Sequence, residues 1–422
     1  MSLAEPLEAP CRCTASPWPQ AQLSADDRRW VARAIALARR GAGLTSPNPA
    51  VGAVLVRGGQ VVGEGYHRRA GGPHAEVVAL GRAREAARGA TLYVTLEPCS
   101  HWGRTPPCAD ALIAAGVRRV VACTVDPNPR VNGRGFERLA RAGVKVELAG
   151  QSACGRVRRL NASYEKYITT GLPYVTIKVA MSLDGKIATA SGDARWISSE
   201  TSRALVHRLR ARHDAVMVGV GTVLADDPLL TARPHASRPL RRQPLRVVVD
   251  GLARTPADAQ LIRTAAPGTP VLVAVTARAP AERVHAIRSA GAEVAVLPAA
   301  PDGRVDLPAL MEYLAGREVT SILVEGGGTL VASLIEAGLP DRLVAFVAPK
   351  ILGGRSAPSP VEGSGAASVT AAWALGEWRV RRVPGSGSPP DLVIEALFPA
   401  AAERLRCAPA QERGQAACSL AS

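Results

Sequence analysis

The sequence predicts an α/β protein built as two domains on one chain. Strand-like apolar runs alternate with helix-periodic ones along nearly its whole length, which argues for sheets covered by helices on both faces. At 422 residues the chain is too long for a single ordinary core. With 47% apolar and 21% charged residues, it has the make-up of a folded globular protein.

The elements follow in order. Residues 1–22 read as a disordered tail, acidic and broken by prolines where a signal peptide is basic and then continuously apolar. DDRRWVARAIALARR has apolar residues at helical spacing and stops at Gly41-Ala42-Gly43. AVGAVLVRGGQVVGEGYH is a hairpin around Arg57-Gly58-Gly59. HAEVVALGRAREAARG is a helix, ATLYVTLEP a strand, CADALIAAG a helix, VRRVVACTVDP a strand, RGFERLARAG a helix and VKVELA a strand. This first domain spans 23–169. The second, 170–398, begins with YVTIKVAMSLDGKIA as strand and turn, then SETSRALVHRLRARHD as a helix. AVMVGVGTV, LRVVVDG, VLVAVT and AEVAVLPA are strands. SILVEGGGTLVASLIEAG is a strand, a triple glycine and a helix, and RLVAFVAPKIL and DLVIEALF close the sheet. GSGSPP is a turn-rich connection, and 399–422 is a second disordered tail without a core pattern.

Composition removes several functions. No apolar run approaches the roughly 20 residues of a membrane span, so the expectation is a cytoplasmic protein with no membrane partner. Eight cysteines are too few for a disulfide scaffold, and Cys123 and Cys154 read as packing residues. The net charge of +16 invites a nucleic-acid reading. The arginines are spread along the chain, however, and the densest basic run, RPLRRQPLR, carries no aromatic residue for base stacking. A phosphorylated small molecule suits this charge better than nucleic acid.

HAEVVAL at 74–80 raises the first chemical question. Taken alone, His74 and Glu76 are better read as polar residues on a helix. EPCSHWGRTPPC then adds Cys99 and Cys108, both fixed by neighbouring prolines. One histidine and two thiolates are the three protein ligands of a zinc ion that keeps a position open for water. Cys108 opens a helix, where the dipole favours thiolate. Glu76, two residues past the histidine, is placed to shuttle the proton of an activated water. H-x-E followed by P-C is the zinc nucleobase-deaminase pattern, but that pattern continues C-x-x-C, whereas here eight residues separate the cysteines. His67 and His101 read as polar surface residues.

The long spacing with its internal G-R-T-P-P-C resembles the bifunctional riboflavin-biosynthesis deaminase–reductases. So do SPNPAVGAVLVRGG, DPNPRVNGRG, VAMSLDGKIA, TVLADDPLLTAR, VEGGGTL and VAPKILGG, and the resemblance covers about residues 25–398. It implies a cytidine-deaminase-like three-layer α/β/α domain followed by a dihydrofolate-reductase-like α/β domain. One zinc ion per chain would serve hydrolytic deamination of a diaminohydroxy-pyrimidine carrying a phosphoribosylamino group, and NADPH would then reduce the ribose to a ribitylamino phosphate. The partners it implies are these small molecules and further copies of the chain, as a dimer or tetramer.

By the same resemblance Asn48 contacts the first substrate, although an asparagine before Pro49 equally caps a turn. Ala180, Trp196, Thr222, Asp226 and the segment Gly327, Gly328, Thr329, Leu330, Val331, Ala332 and Ser333 line the NADPH site. Arg210, Leu230, Arg233 and Glu325 contact the second substrate. Chemistry adds to this: Arg210 and Arg233 offer guanidinium forks to a phosphate, and Lys178 follows a strand that leads toward the reacting carbon. Without the family, EGGG before a helix is a weak anion site or a tight turn, Asp226 and Asp227 cap a turn before Pro228, Arg210 is a solvated helix residue and Trp196 a packing residue. Two other functions compete with the bifunctional enzyme. One is a nucleic-acid deaminase, opposed by the cysteine spacing, the 4% aromatic content and the whole second domain. The other is a protein merely stapled by zinc, for which Glu76 has no purpose.

Overall fold

The computed structural model describes residues 17–102, 106–233, 243–384 and 389–405. They form two compact units. The first takes Ala50–Asn161 with the described residues of Met1–Ala42 and Glu403–Ser422, and the second takes Gly43–Pro49 and Ala162–Ala402.

In chain order the first unit contains α1 (Ala25–Arg39), β1 (Gly52–Arg57), β2 (Gln60–Tyr66), α2 (Ala75–Ala83), β3 (Thr91–Val94), α3 (Cys108–Ala114), β4 (Arg119–Ala122), α4 (Arg134–Arg141), β5 (Lys145–Leu148) and α5 (Gln151–Leu160). The sheet order is β2-β1-β3-β4-β5. The hairpin and the β1–β3 pair are antiparallel, and β3, β4 and β5 run parallel. Side chains alternate faces along a strand, and both faces here are apolar. Leu55, Leu92, Val94, Val120 and Val146 pack under α2, α3 and α4. Val54, Tyr93 and Val121 pack under α1 and α5. The result is the expected three-layer α/β/α arrangement. Two glycines of β2 let α2 lie close: a Cβ on Gly63 would sit 2.3 Å from Ala79 O, and one on Gly65 2.6 Å from the Val78 side chain.

The second unit contains α6 (Ala162–Thr170), β6 (Tyr174–Ser182), α7 (Glu200–Arg210), β7 (Ala215–Gly219), α8 (Val220–Asp226), β8 (Leu245–Val249), α9 (Gln260–Arg263), β9 (Val271–Thr276), α10 (Ala281–Ser289), β10 (Glu293–Leu297), α11 (Leu307–Gly316), β11 (Ser321–Gly326), α12 (Gly328–Glu336), β12 (Arg342–Ala348), β13 (Trp378–Val383) and β14 (Asp391–Leu397). Helix α13 (Pro399–Leu405) follows. The nine strands run β10-β9-β8-β7-β11-β6-β12-β14-β13, parallel from β10 to β12 and antiparallel beyond. Val175, Ile177, Met217, Leu272 and Val324 face α11 and α12, and Val216, Val218, Val248 and Val273 face α8, α9 and α10.

Several expectations change. Helix α6 belongs with the second unit, where Lys166 reaches Asp341 at 2.6 Å and Tyr167 donates to Ala315 O. So does Gly43–Pro49, whose Ser46 hydroxyl donates to Asp214 at 2.7 Å. VGTV, read as the end of a strand, instead opens α8. The strand β13 escaped the sequence because its alternate positions are arginines on an exposed sheet edge. The tails are shorter than expected: Pro19, Gln20 and Ala21 pair along β5 at Leu148, Trp18 meets Phe136 edge-on at 5.4 Å, and α13 buries Ala401 and Ala402. Residues 1–16 and 406–422, most of RPLRRQPLR and most of GSGSPP lie outside the described residues. Cys123 and Cys154 are buried as expected, but Cys154 is also disulfide-bonded.

Candidate active sites

Among the described residues, one group of metal-type donors converges in the first unit. His74 Nδ1, Cys99 Sγ and Cys108 Sγ all lie within 4.8 Å of one another. Three elements deliver them: His74 is the N-cap of α2, Cys108 opens α3, and Cys99 stands in the turn after β3. The Nδ1–Sγ separations are 3.2 Å to Cys108 and 3.6 Å to Cys99. A tetrahedral zinc with ordinary Zn–N and Zn–S lengths spans about 3.6 Å between such ligands, so donor type and spacing both fit the ion. The Cys108 backbone N–H donates to Cys99 Sγ at 3.3 Å. Interaction with Cys108 holds the Cys99 thiol down to about 4, and interaction with Cys99, together with burial, pushes the Cys108 thiol up. A dication held there would bind both sulfurs as thiolates.

Glu76 lies in the first turn of α2, 3% exposed. Burial raises its pKa to about 7, with the His74 charge pulling the other way. That matches a group that must both take and return a proton near neutrality.

Two supporting residues went unrecognised in the sequence. His67 is buried, not on the surface; its ring stacks edge-on against His74 at 5.4 Å and Nδ1 meets Pro73 O at 3.0 Å, fixing the entry to α2. Glu97 accepts from the backbone N–H groups of Asp126, Gly133 and Gly135 at 3.1, 2.8 and 2.8 Å, tying the cysteine turn to the start of α4. A Cβ on Gly135 would lie 1.9 Å from Pro98 O, so only glycine permits that approach. The place of Glu97 inside TLEPC was the one signal the sequence offered. His101 is half-buried, and its Nδ1 has no hydrogen-bond partner among the described residues. Asn48 lies in the segment that belongs to the second unit, its backbone N–H donating to Thr45 O at 2.8 Å.

In the second unit a charged triad sits where β6, β11 and α7 meet. Arg210 grips Glu325 through Nε to Oε1 at 2.5 Å and Nη2 to Oε2 at 2.9 Å, and its Nη1 donates to Thr231 O at 3.0 Å. Lys178 Nζ is 3.8 Å from Glu325 Oε2. Burial works to raise the Glu325 pKa, but the Arg210 guanidinium outweighs it and the net shift is downward. Burial lowers that of Lys178, with Glu325 opposing and Arg210 adding to the fall. Arg210 is thus no solvated helix residue: its fork faces a carboxylate rather than standing open for a phosphate. Leu230 buries its side chain in the core at a φ of 53°, which leaves backbone for any contact there. Arg233 is exposed, its N–H donating to His207 Nδ1 at 3.3 Å.

The residues expected to hold the dinucleotide fall at the C-terminal ends of adjacent parallel strands. Ala180 is on β6, Thr222 on α8 just after β7, and Gly327 leads from β11 into α12 with φ +90°. This is the switch between strand and helix where backbone N–H groups meet phosphate, and a Cβ on Gly326 would lie 2.9 Å from Thr222 Oγ1. The residues present fit such a cofactor. Trp196 is 62% exposed under the Arg203 guanidinium, 4.4 Å from its ring centroid, and so is not a packing residue. Of the two aspartates, Asp227 makes the turn, with φ 42° and Oδ1 accepting from Gln260 N at 2.7 Å. Asp226 is exposed and free of that duty, although its carbonyl accepts from Arg195.

Comparison with known proteins finds a match for each unit. Residues 24–124 match the family "cytidine and deoxycytidylate deaminase zinc-binding region", and residues 173–382 match "RibD C-terminal domain". A riboflavin biosynthesis protein RibD from Actinobacillus pleuropneumoniae is 45% identical over 340 residues, 80% of this chain and 88% of that one. The chain belongs to the RibD family. The crystallised RibD of Acinetobacter baumannii is 37% identical and superposes with a TM-score of 0.75 over 88% of this chain and 99% of that one. A Thermotoga maritima structure described as a diaminohydroxyphosphoribosylaminopyrimidine deaminase/5-amino-6-(5-phosphoribosylamino)uracil reductase is 33% identical, with a TM-score of 0.71 over 88% and 98%. As a RibD protein the chain is a bifunctional enzyme of riboflavin biosynthesis, with a zinc-dependent deaminase domain and an NADPH-dependent reductase domain.

Proposed function

We propose that the first unit deaminates 2,5-diamino-6-(5-phosphoribosylamino)pyrimidin-4-one with His74, Cys99 and Cys108 as zinc ligands and Glu76 as proton shuttle. The observation that carries this is the convergence of those three donors within 4.8 Å beside a buried carboxyl. Zinc, when bound, acidifies a water at neutral pH. Glu76 then accepts the proton of that water and returns it to the departing amine, so that ammonia leaves and a carbonyl remains. His67 and Glu97 hold the ligands in place, and Asn48 is proposed to touch the pyrimidine.

In the second unit, Ala180, Trp196, Thr222, Asp226 and Gly327–Ser333 are proposed to bind NADPH, which supplies the hydride. Lys178 and Glu325 face the reacting ribose, with Arg210 fixing Glu325 and with Leu230 and Arg233 completing the substrate site. Lys178, lowered by burial, is suited to donate the proton that the opened sugar oxygen needs. We further propose a cytoplasmic homo-oligomer, a dimer or tetramer. Val369, Trp378 and Val380 expose large apolar surface on or near the edge strand β13, which supports association.

The deciding experiment measures bound metal and ammonia release from the diaminopyrimidine ribotide for wild type and Glu76→Gln. Retained zinc with collapsed ammonia release supports the reading, provided NADPH oxidation by the deaminated product persists. Wild-type ammonia release in the variant removes it.

A further inference from the structure

The proposed dinucleotide site occupies the C-terminal ends of β6, β11 and β7, consecutive neighbours in a sheet that continues through β8, β9 and β10. All of these strands are parallel, so their C-terminal ends share one edge. A dinucleotide anchored by its pyrophosphate at the β11–α12 turn must lay its adenosine half along that edge. Neighbouring strands are about 4.8 Å apart, so the end of β9 lies on the order of 10 Å from the end of β7, within reach of an adenosine ribose.

The chain gathers arginines there. Arg278 follows β9 by two residues, its N–H bonded to Thr276 Oγ1 at 3.3 Å. Its guanidinium lies against the turn after β10, where a Cβ on Gly303 would fall 2.1 Å from Nη1. Arg304 follows that glycine and reaches back to α12, with Nη1 3.5 Å from Ser333 Oγ, the last residue of the proposed cofactor segment. Gly251, just beyond β8, brings the three turns together: atoms of Thr276, Gly303 and Arg304 stand 3.6–3.8 Å from where its Cβ would be, in van der Waals contact. Acidic groups nearby are already engaged. Asp250 is buried and accepts from Thr255 N and Oγ1 at 2.6 and 2.8 Å, with Arg254 at 3.5 Å, and Asp302 lies 3.4 Å from Arg304. Arg278 pairs with no carboxylate among the described residues.

We infer that Arg278 and Arg304 form the subsite for the 2′-phosphate of the cofactor and so set the preference for NADPH over NADH. This rests on the proposed placement of the cofactor at Gly327–Ser333. A guanidinium gives a phosphate paired, charge-assisted hydrogen bonds, and a nearby arginine is the usual way an α/β dinucleotide site accommodates that group. No bond changes at this subsite; its effect is on binding alone.

The test is calorimetric titration of the full chain with 2′,5′-ADP and with 5′-ADP, which differ only in the 2′-phosphate. Wild type is expected to bind 2′,5′-ADP more tightly. Arg278→Gln/Arg304→Gln should weaken 2′,5′-ADP about tenfold or more and leave 5′-ADP unchanged, with the KM for NADPH rising and that for NADH unmoved. Equal weakening of both nucleotides, or of neither, overturns the subsite while leaving the cofactor site standing. If wild type binds neither nucleotide, the cofactor placement itself fails and the subsite with it. Single Arg278→Lys and Arg304→Lys variants guard against a misfolded double variant: each should keep part of the preference, and full retention in both argues against the guanidinium contacts.

Discussion

Arg210 and Glu325 form a two-point ion pair buried between α7 and the end of β11, with Lys178 at its edge. The pair explains how a carboxylate stays ionised where burial works against it: the guanidinium satisfies both oxygens at once.

Lysine at position 210 keeps the charge and loses the fork. Arg210→Lys is expected to lower the kcat/KM of ribotide reduction about tenfold or more, with ammonia release unchanged. Arg210→Ala leaves Glu325 with Lys178 alone at 3.8 Å and is expected to destabilise the unit by about 3–5 kcal/mol, read as a lower denaturant midpoint. Unchanged reduction by the lysine variant would show that the geometry of Glu325 does not matter.

Glu76→Gln removes a proton acceptor and preserves its shape. Ammonia release should fall roughly 10²–10⁴-fold, the usual contribution of general acid–base catalysis, while metal content stays near that of wild type. Loss of metal in this variant would instead make Glu76 part of the ligand set.

How much of this was legible in the sequence depended on the kind of interaction. The proposed zinc donors were readable because His74, Cys99 and Cys108 are rare residue types in stretches fixed by prolines, and the helices and parallel strands carried clear periodicity. Glu97 was not, because it acts through backbone groups distant in sequence, those of Gly133 and Gly135, and His67 was not, because only the folded turn brings its ring against that of His74. Arg210 was picked out as a phosphate binder, since nothing local shows that Glu325, far along the chain, faces it. Strand β13 was missed because an arginine-rich edge strand has only one buried position to betray it.

Chelation should separate the two activities. The cluster lies at helix starts and one turn, outside the apolar layers that hold the first unit together. Dialysis against a chelator is expected to abolish ammonia release, leave far-ultraviolet circular dichroism nearly unchanged and spare NADPH oxidation. Unfolding of the first unit on metal removal would identify a structural zinc.

Acid should weaken the first unit through Asp27. Burial works to raise its pKa, but hydrogen bonds from Tyr93 at 2.5 Å, from the Ser24 N–H and hydroxyl and from Arg119 prevail and lower it to about 2. A carboxyl with a depressed folded pKa stabilises above its ordinary value, and that stability is lost as pH falls through the folded one. Asp27→Asn should therefore lower the unfolding temperature at pH 7, with the difference from wild type shrinking below about pH 4 and vanishing near 2. A difference that stays constant down to pH 2 would assign the effect to shape rather than charge.

The N-terminal turn of α12 carries a carboxylate of its own. Glu362 accepts from Thr329 Oγ1 at 2.8 Å, its backbone N–H donates to Gly328 O at 3.2 Å, and its side chain fills the space a Cβ on Gly328 would take, 2.6 Å away. On the proposed cofactor placement, a negative group stands beside the amides that receive the pyrophosphate. Helix N-termini attract anions of any source, so Glu362 competes with the cofactor for the same dipole. Glu362→Gln keeps the size and removes the charge. It should lower the KM for NADPH about threefold, in line with one exposed charge at a helix end, and the gain should shrink as ionic strength rises and screens the repulsion. The kcat of the reductase should hold, because the triad of Lys178, Arg210 and Glu325 lies on other elements. A raised KM in the variant would reverse the assignment and make Glu362 a contact that supports the bound cofactor.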